Sequence, residues 1–451
     1  DKIRFDNEGQ MLADMDNPSA WVDYRMFVTH HFVDVHRRMR RALREGDPGV
    51  SVGWDGASQF SSYNGQDWWE LCRDMELVNT YQNNFVPDSR YPFWVFNGEA
   101  MDSFGRDASL RGLWLNKADR DFGGQYIPWF ILLNGWNGTW WWEATFLHPG
   151  NGPLRWDMNL TPIAGEMVAA VKEIKGGPGT LMAHARKAPS RIAIHYSATN
   201  YHASTVESGV PDYLGHLGVG TGFWMAPELA GRSSYPEIRK DMLELWGGIT
   251  PKGHYAAASA NFYLLFNDMG FQPCTIARKE IEADALATSE IRVLVLPFVV
   301  SLSDLEVKKI REFMGRGGIL IADYRCGLRD EHGRLREKPA LDDVFGIKRK
   351  SLEVRRGRGM FTGNYGLASA QFQSVFHDPV ALDGAESFAY HDDGTPGYLI
   401  NYALGGKALY LNTDLYSYID LRSRGSERDM RKLLTAFLTV RDHLTMFPPF
   451  Q

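Results

Sequence analysis

Ile291-Arg292-Val293-Leu294-Val295-Leu296-Pro297, then Ser303 through Arg316, then Gly317-Gly318, then Ile319-Leu320-Ile321-Ala322, is the stretch that decides the fold. The first run is nearly all apolar and ends in proline, the mark of a strand buried on both faces. The second opens on serine and stops at two glycines, which predicts a helix. The third is another buried strand. Arg191-Ile192-Ala193-Ile194-His195-Tyr196 and a helix over 256–269 repeat the theme upstream. Together they predict an open doubly wound α/β domain. Its glycines do not fall into GxGxxG, so no dinucleotide fingerprint is present and no cofactor is expected.

Outward toward the N-terminus the alternation continues in a different key. A helix is predicted from Asn17-Pro18-Ser19 to Glu45, stopped by Asp47-Pro48-Gly49, and Val50-Ser51-Val52-Gly53-Trp54 reads as a strand. Helix and strand follow at 66–75 and 76–81, at 92–104 and Leu110–Leu115, and at 124–133 and Thr139-Trp140-Trp141-Trp142. A last helix over 164–175 precedes a linker-like Gly176-Gly177-Pro178-Gly179. Four strands in βα units are half of an eight-stranded barrel, and half a barrel leaves two open edges. The remaining half is therefore expected upstream in the same chain or on a partner. Beyond Gly346 the chain turns strand-rich, then returns to α/β at Lys407-Ala408-Leu409-Tyr410-Leu411-Asn412 and a helix near 427–442. The expected layout is a half barrel over 1–180, the α/β domain over 181–347, a small β-rich subdomain over 348–406, and a return to the α/β domain over 407–451.

The chain has 451 residues and a net charge of -6, too mild and of the wrong sign for a nucleic-acid surface. No apolar run reaches the length of a membrane span. Cys72, Cys274 and Cys326 lie far apart, which excludes a disulfide framework and a zinc motif, and the histidines show no metal-binding spacing. A cytoplasmic location is expected, although a removed signal peptide, and with it a secreted or periplasmic location, would leave the same record. Aromatic residues are abundant, with 14 Trp, 19 Tyr and 25 Phe. Their faces stack on the C–H faces of sugar rings, and they also fill ordinary cores.

Several segments, in order, resemble the glycoside hydrolases of family 42. They are Trp21-Val22-Asp23-Tyr24-Arg25, Tyr63-Asn64-Gly65-Gln66-Asp67-Trp68-Trp69, Tyr126-Ile127-Pro128-Trp129, Gly138-Thr139-Trp140-Trp141-Trp142 and Lys172-Glu173-Ile174-Lys175. In the second domain Leu294-Val295-Leu296-Pro297, followed by Glu312-Phe313-Met314-Gly315-Arg316-Gly317-Gly318, is similar to that family's amidotransferase-like trimerisation domain. The resemblance implies a TIM barrel, a retaining β-galactosidase-type glycosidase, a carbohydrate substrate and a homotrimer. Retention needs two carboxylates about 5–5.5 Å apart, one acid/base and one nucleophile. The resemblance puts the acid/base after the fourth barrel strand, upstream of this chain. Asp6-Asn7-Glu8-Gly9 echoes its motif, but the approach to Glu8 is short for a barrel strand.

Barrel sites lie at the C-terminal ends of the strands. Those ends carry Asp55, Tyr81, Asn116 and Glu143, and Glu143 directly follows Trp142. Two alignments compete for the nucleophile. In one, Pro92-Phe93-Trp94-Val95-Phe96-Asn97-Gly98-Glu99 approaches Glu99 as a strand. In the other the strand is Leu110–Leu115, ending in Asn116-Lys117, and the role moves to Asp119 or Glu143. Asp55, Gln59, Tyr81, Trp114, Asn116 and Trp142 are the expected sugar contacts, with turn chemistry the competing explanation for the polar ones. An amidotransferase triad is not expected: Pro297-Phe298-Val299-Val300-Ser301 has no cysteine, and Cys326 with His332 is a thin basis for one. The domain reads as a packing and oligomerisation module.

Overall fold

The computed structural model describes residues 17–57, 65–82, 91–105, 108–115, 123–141, 153–184, 190–208, 255–356, 360–365, 368–373, 376–413, 418, 422 and 428–439. They fall into two compact units. One takes the described residues within Phe27–Ala188, the other those within Asp1–Met26, Pro189–Pro211 and Leu243–Gln451. The second unit thus begins near residue 189 and also claims the start of the first helix, a partition finer than the expected break at 180.

In the first unit the elements are α1 (Ser19–Gly46), β1 (Gly53–Ala57), α2 (Trp68–Asp74), β2 (Leu77–Gln82), α3 (Tyr91–Phe104), β3 (Leu110–Leu115), α4 (Gly123–Leu133), β4 (Gly138–Trp141), α5 (Pro162–Lys175) and α6 (Pro178–His184). The strands pair in sequence order, β1-β2-β3-β4, every pair parallel. Strand β1 starts three residues later than its apolar run suggests, because the Val52 N–H is taken by Glu76 Oε2 at 3.0 Å. Glu76 also receives Arg40 and Arg44 of α1, while Arg37 binds Glu70 and Asp74, so arginines beside the buried Val33 fasten this helix to the β1–α2–β2 unit. The consequence shows on the other side of α1. Phe27 (65% exposed), Val35, Met39 (57%) and Leu43, spaced four and eight residues apart, form an apolar ridge left open. The expected linker at 176–179 is instead a junction between helices: Gly176 caps α5 and Pro178 opens α6.

The second unit holds β5 (Ile192–Tyr196), α7 (Ala198–Ser208), α8 (Tyr255–Asp268), β6 (Cys274–Ala277), α9 (Arg278–Glu282), α10 (Ala285–Thr288), β7 (Val293–Leu296), α11 (Asp304–Gly315), β8 (Ile319–Asp323) and α12 (Asp342–Phe345). After these come β9 (Ile347–Arg349), β10 (Arg355–Arg356), β11 (Met360–Tyr365), β12 (Ala368–Gln373), β13 (Phe376–His377), β14 (Val380–Leu382), β15 (Glu386–Tyr390), β16 (Pro396–Ala403), β17 (Gly406–Leu411) and α13 (Arg428–Thr439). Nine strands form one mixed sheet in the order β12-β11-β15-β16-β17-β8-β7-β5-β6. From β6 to β17 the pairs are parallel and every residue of β5, β7, β8 and β17 is buried, as helices on both faces require. From β17 to β12 they are antiparallel. The strand-rich stretch expected as a separate subdomain over 348–406 therefore contributes four strands to this same sheet.

Two buried histidines join the turn after β15 to the strands beside it. His377 and His391 stack with ring centroids 3.9 Å apart, and His391 Nε2 donates to the Asn412 carbonyl at 2.7 Å. Burial, then the neighbouring His377, pushes His391 down from 6.5 to about 4. An unfolded chain takes up this proton near pH 6.5, the folded one only near 4, so the stabilisation is whole above 6.5 and lost as pH falls through that window. The expected loss from His391 between pH 7 and pH 4 is roughly 3 kcal/mol. Asp342, raised by burial to about 6, works in the opposite sense over the same window, so the His391 share is read as a difference between two proteins. The urea midpoint of His391→Gln should rise relative to that of the parent between pH 7 and pH 4. An equal change in both would refute the assignment. Asp378 and Asp393 are held well below the usual carboxylate range, so their own losses come in stronger acid.

Candidate active site

At the C-terminal end of the four-stranded sheet the register brings expected site residues into rows. Tyr81 pairs with Trp114, and Trp114 with Trp140, so three aromatic positions cross β2, β3 and β4 on one line. Asp55 lies in β1 within the irregular stretch between the Trp54–Val78 and Ala57–Thr80 pairs. Such irregularities are common beside active sites because they re-aim side chains. The ring of Trp140 lies over Gly112: a Cβ there would be 1.5 Å from Trp140 Cζ3. Gln59, Asn116, Asp119, Trp142 and Glu143 lie outside the described residues, as does Glu8.

Glu99 requires a correction. The run 92–99 is part of helix α3, so Glu99 does not end a strand. Its carboxylate is buried and accepts from Ser103 Oγ at 2.7 Å, one helical turn on. Pro92 stands in the first turn, where its missing N–H costs nothing. This leaves β3, Leu110–Leu115, as the strand and removes the strand-end argument for Glu99 as nucleophile. The structure brings Tyr81, Trp114 and Trp140 into one row across the sheet and leaves Glu99 to the helix layer.

The N-termini of α4 and α5 sit side by side. The Gly124 N–H donates to Glu166 Oε2 at 2.6 Å, and a Cβ on Gly124 would lie 2.0 Å from the Ile163 carbonyl oxygen. Since α4 begins where the chain leaves the C-terminal end of β3, the start of α5 is at that same end. The segment just before α5, residues 153–161, is a short hairpin bridged by Leu154 and Leu160. Nothing in the sequence pattern marked it.

In the second unit the ligand crevice of a doubly wound sheet would lie where the strand order reverses, between β5 and β7. It is occupied by the protein itself. Asn200 donates from Nδ2 to the Phe298 carbonyl at 3.2 Å and accepts the Ser301 N–H at 2.9 Å, tying α7 to the loop after β7. Behind it Tyr255 donates to the His195 carbonyl at 2.7 Å, and His195 Nε2 lies 2.8 Å from Glu306 Oε1. The other oxygen of Glu306 accepts the Ser303 N–H and closes the capping box that starts α11.

After β8 the chain makes a sharp turn, with Arg325 at φ 68°. That residue, not a cysteine, holds the strained position. Its guanidinium is buried between Glu207 and Asp378. Asp378 also receives the Arg325 N–H and Tyr410 OH, both at 2.7 Å, and Arg349, which in turn binds Asp342 at 3.1 Å. Burial raises Asp342 to about 6, although Arg349 beside it works the other way. Cys326 follows Arg325 and is buried, and burial pushes its thiol well above the usual range. His332 is half exposed and faces Asp23, with Nδ1 2.8 Å from Oδ1. A cysteine–histidine triad is therefore not assembled. Among the described residues no group of His, Cys, Asp or Glu is arranged to hold a metal ion, and no helix is long and apolar enough to cross a membrane.

Residues 249–439 match the family model of the β-galactosidase trimerisation domain. A curated β-galactosidase of Clostridium perfringens is 22% identical over 433 residues, covering 86% of this chain and 55% of that protein. Among solved structures, the β-galactosidase of Bacillus circulans sp. alkalophilus superposes with a TM-score of 0.67 at 14% identity, covering 95% of this chain and 59% of its own. A catalytic mutant of a GH42 β-galactosidase from G. stearothermophilus gives 0.65 at 15%, with 92% and 57% covered. At these identities the structural likeness is one of fold. The chain spans little more than half the length of each relative. Along nearly all of its own length it resembles the family 42 β-galactosidases.

Proposed function

We propose that the first unit is the second half of a (β/α)₈ barrel and that the protein is a retaining β-glycosidase acting on a β-linked galactoside. The observation that carries this is the sheet β1-β2-β3-β4, four parallel strands in sequence order with a helix between each pair, in a chain whose later residues match the trimerisation domain. The edges β1 and β4, and the open Phe27–Leu43 ridge of α1, are surfaces that four further βα units would cover. The acid/base then belongs to the barrel strand that precedes α1. Glu143, directly after β4 and Trp142, is the first choice for the second carboxylate, and Asp119 after β3 the next. Asp55, Gln59, Tyr81, Trp114, Asn116 and Trp142 line the sugar's hydroxyls and faces. The second unit, its crevice filled by Asn200 and Phe298, serves assembly into a homotrimer.

The full-length protein should hydrolyse an aryl β-galactoside, and Glu143→Gln should lower kcat by at least about 10³-fold with the fold intact by circular dichroism. A folded full-length protein without hydrolysis, or a fully active Glu143→Gln variant beside an inactive Asp119→Asn, would respectively sink the reaction and the residue. Sedimentation equilibrium tests the trimer.

A further inference from the structure

We propose that the hairpin 153–161 carries a second sugar subsite, with Trp156 as a stacking platform for the pyranose ring on the leaving-group side of the cleaved bond. The inference rests on the glycosidase reading above and extends it to residues outside the strand ends.

The hairpin has a fixed shape. Arg155 N–H donates to Asn159 O at 2.8 Å, Met158 N–H to Arg155 O at 2.9 Å, and Thr161 N–H to Pro153 O at 3.0 Å. Asp157 Oδ1 takes the Asn159 N–H at 3.0 Å, and Met158 sits at φ 64°, a conformation a non-glycine residue holds only when its surroundings impose it. Thr161 then caps α5 with its side chain, so the hairpin is seated on the helix start. That start is at the C-terminal end of the barrel strands, fixed there by Gly124 against Ile163 and Glu166. On this seated loop Trp156 is 64% exposed and Met158 67%. A large aromatic face presented to water from a formed loop, flanked by the charged Arg155 and Asp157, suits a ring with apolar C–H faces and a hydroxyl rim. Stacking would gain contact area at little cost in ordering, since the loop is already formed.

The test uses the full-length protein, comparing β-galactosyl fluoride, whose leaving group is a single atom, with a β-linked galactotriose. Trp156→Ala should raise KM for galactotriose about tenfold and leave kcat/KM for the galactosyl fluoride within about twofold, while Trp156→Tyr restores most of the loss. Equal losses on both substrates would overturn the proposal, since the hairpin would then shape the glycone site or the fold. Conversion of the trimer to a monomer by Trp156→Ala would also overturn it, by assigning the face to a second copy of the chain. Should the parent hydrolyse neither substrate, the glycosidase reading has failed. Calorimetric titration with galactotriose then still decides the platform: binding weakened about tenfold by Trp156→Ala supports it, and equal heats in both proteins end it.

Discussion

Replacing Asp378 with alanine is expected to lower the unfolding free energy by about 3–5 kcal/mol, a large share of the about 5–15 kcal/mol by which folded proteins are stable. The carboxylate is fully buried and collects the Arg325 N–H, the Arg325 and Arg349 guanidiniums and the Tyr410 hydroxyl. Burial alone would raise its pKa, and the two arginines more than reverse that, which shows where the attraction lies. With Asp378 gone, Arg349 keeps Asp342 and Arg325 keeps Glu207, but each loses one side of its charge balance inside the protein. Leaving a buried charge short of its partner costs more than the pair ever contributed. Asp378→Asn keeps the shape and part of the hydrogen bonding and should fall between the parent and alanine. Urea titration followed by far-ultraviolet circular dichroism reads both. A shift below about 1 kcal/mol for alanine would mean water reaches the cluster and screens it.

That cluster also shows what the sequence could and could not disclose. The alternation of elements was legible because each buried strand and each amphipathic helix writes its own period into a dozen residues. The four parallel strands and the α/β core followed from it. Glu207, Arg325, Arg349 and Asp378 come from four distant stretches, and no local pattern links them. The boundary expected at 406 falls inside one continuous sheet, for a related reason. Leu404 and Gly405 both take positive φ, 56° and 98°, and make a two-residue turn that folds β17 back on β16. Gly405-Gly406 marks a turn but not what it joins, so a tight hairpin read as the join between two domains. The strand alternative for Glu99 stayed open beside the helix over 92–104 because a short apolar run fits a buried strand and a buried helix equally well. Only the fourteen-residue length of α3 decides between them.

Gly124→Ala is the second substitution expected to act strongly, and its contrast with Gly112→Ala tests why glycine is needed at each place. Both positions have something lying where a side chain would go. At Gly112 it is the ring of Trp140, whose Cζ3 would be 1.5 Å from the new Cβ. At Gly124 it is the carbonyl oxygen of Ile163, at 2.0 Å. The ring is closer, yet it hangs on two rotatable bonds and is only half buried, so it can swing aside at the cost of some lost contact. The carbonyl belongs to the first turn of α5 and cannot move without the helix. Gly124→Ala should therefore part the starts of α4 and α5, break the 2.6 Å bond to Glu166, and cost about 2–3 kcal/mol. Gly112→Ala should cost about half that. Because the hairpin 153–161 is seated on the start of α5, Gly124→Ala should also raise KM for galactotriose, as Trp156→Ala does, in the fraction that stays folded. Thermal unfolding ranks the pair. The reverse order, with Gly112 the costlier, would mean that Trp140 is locked in place by its neighbours in the row with Trp114 and Tyr81, and that the rigidity of this end of the sheet resides in its aromatic row rather than in the helix contact.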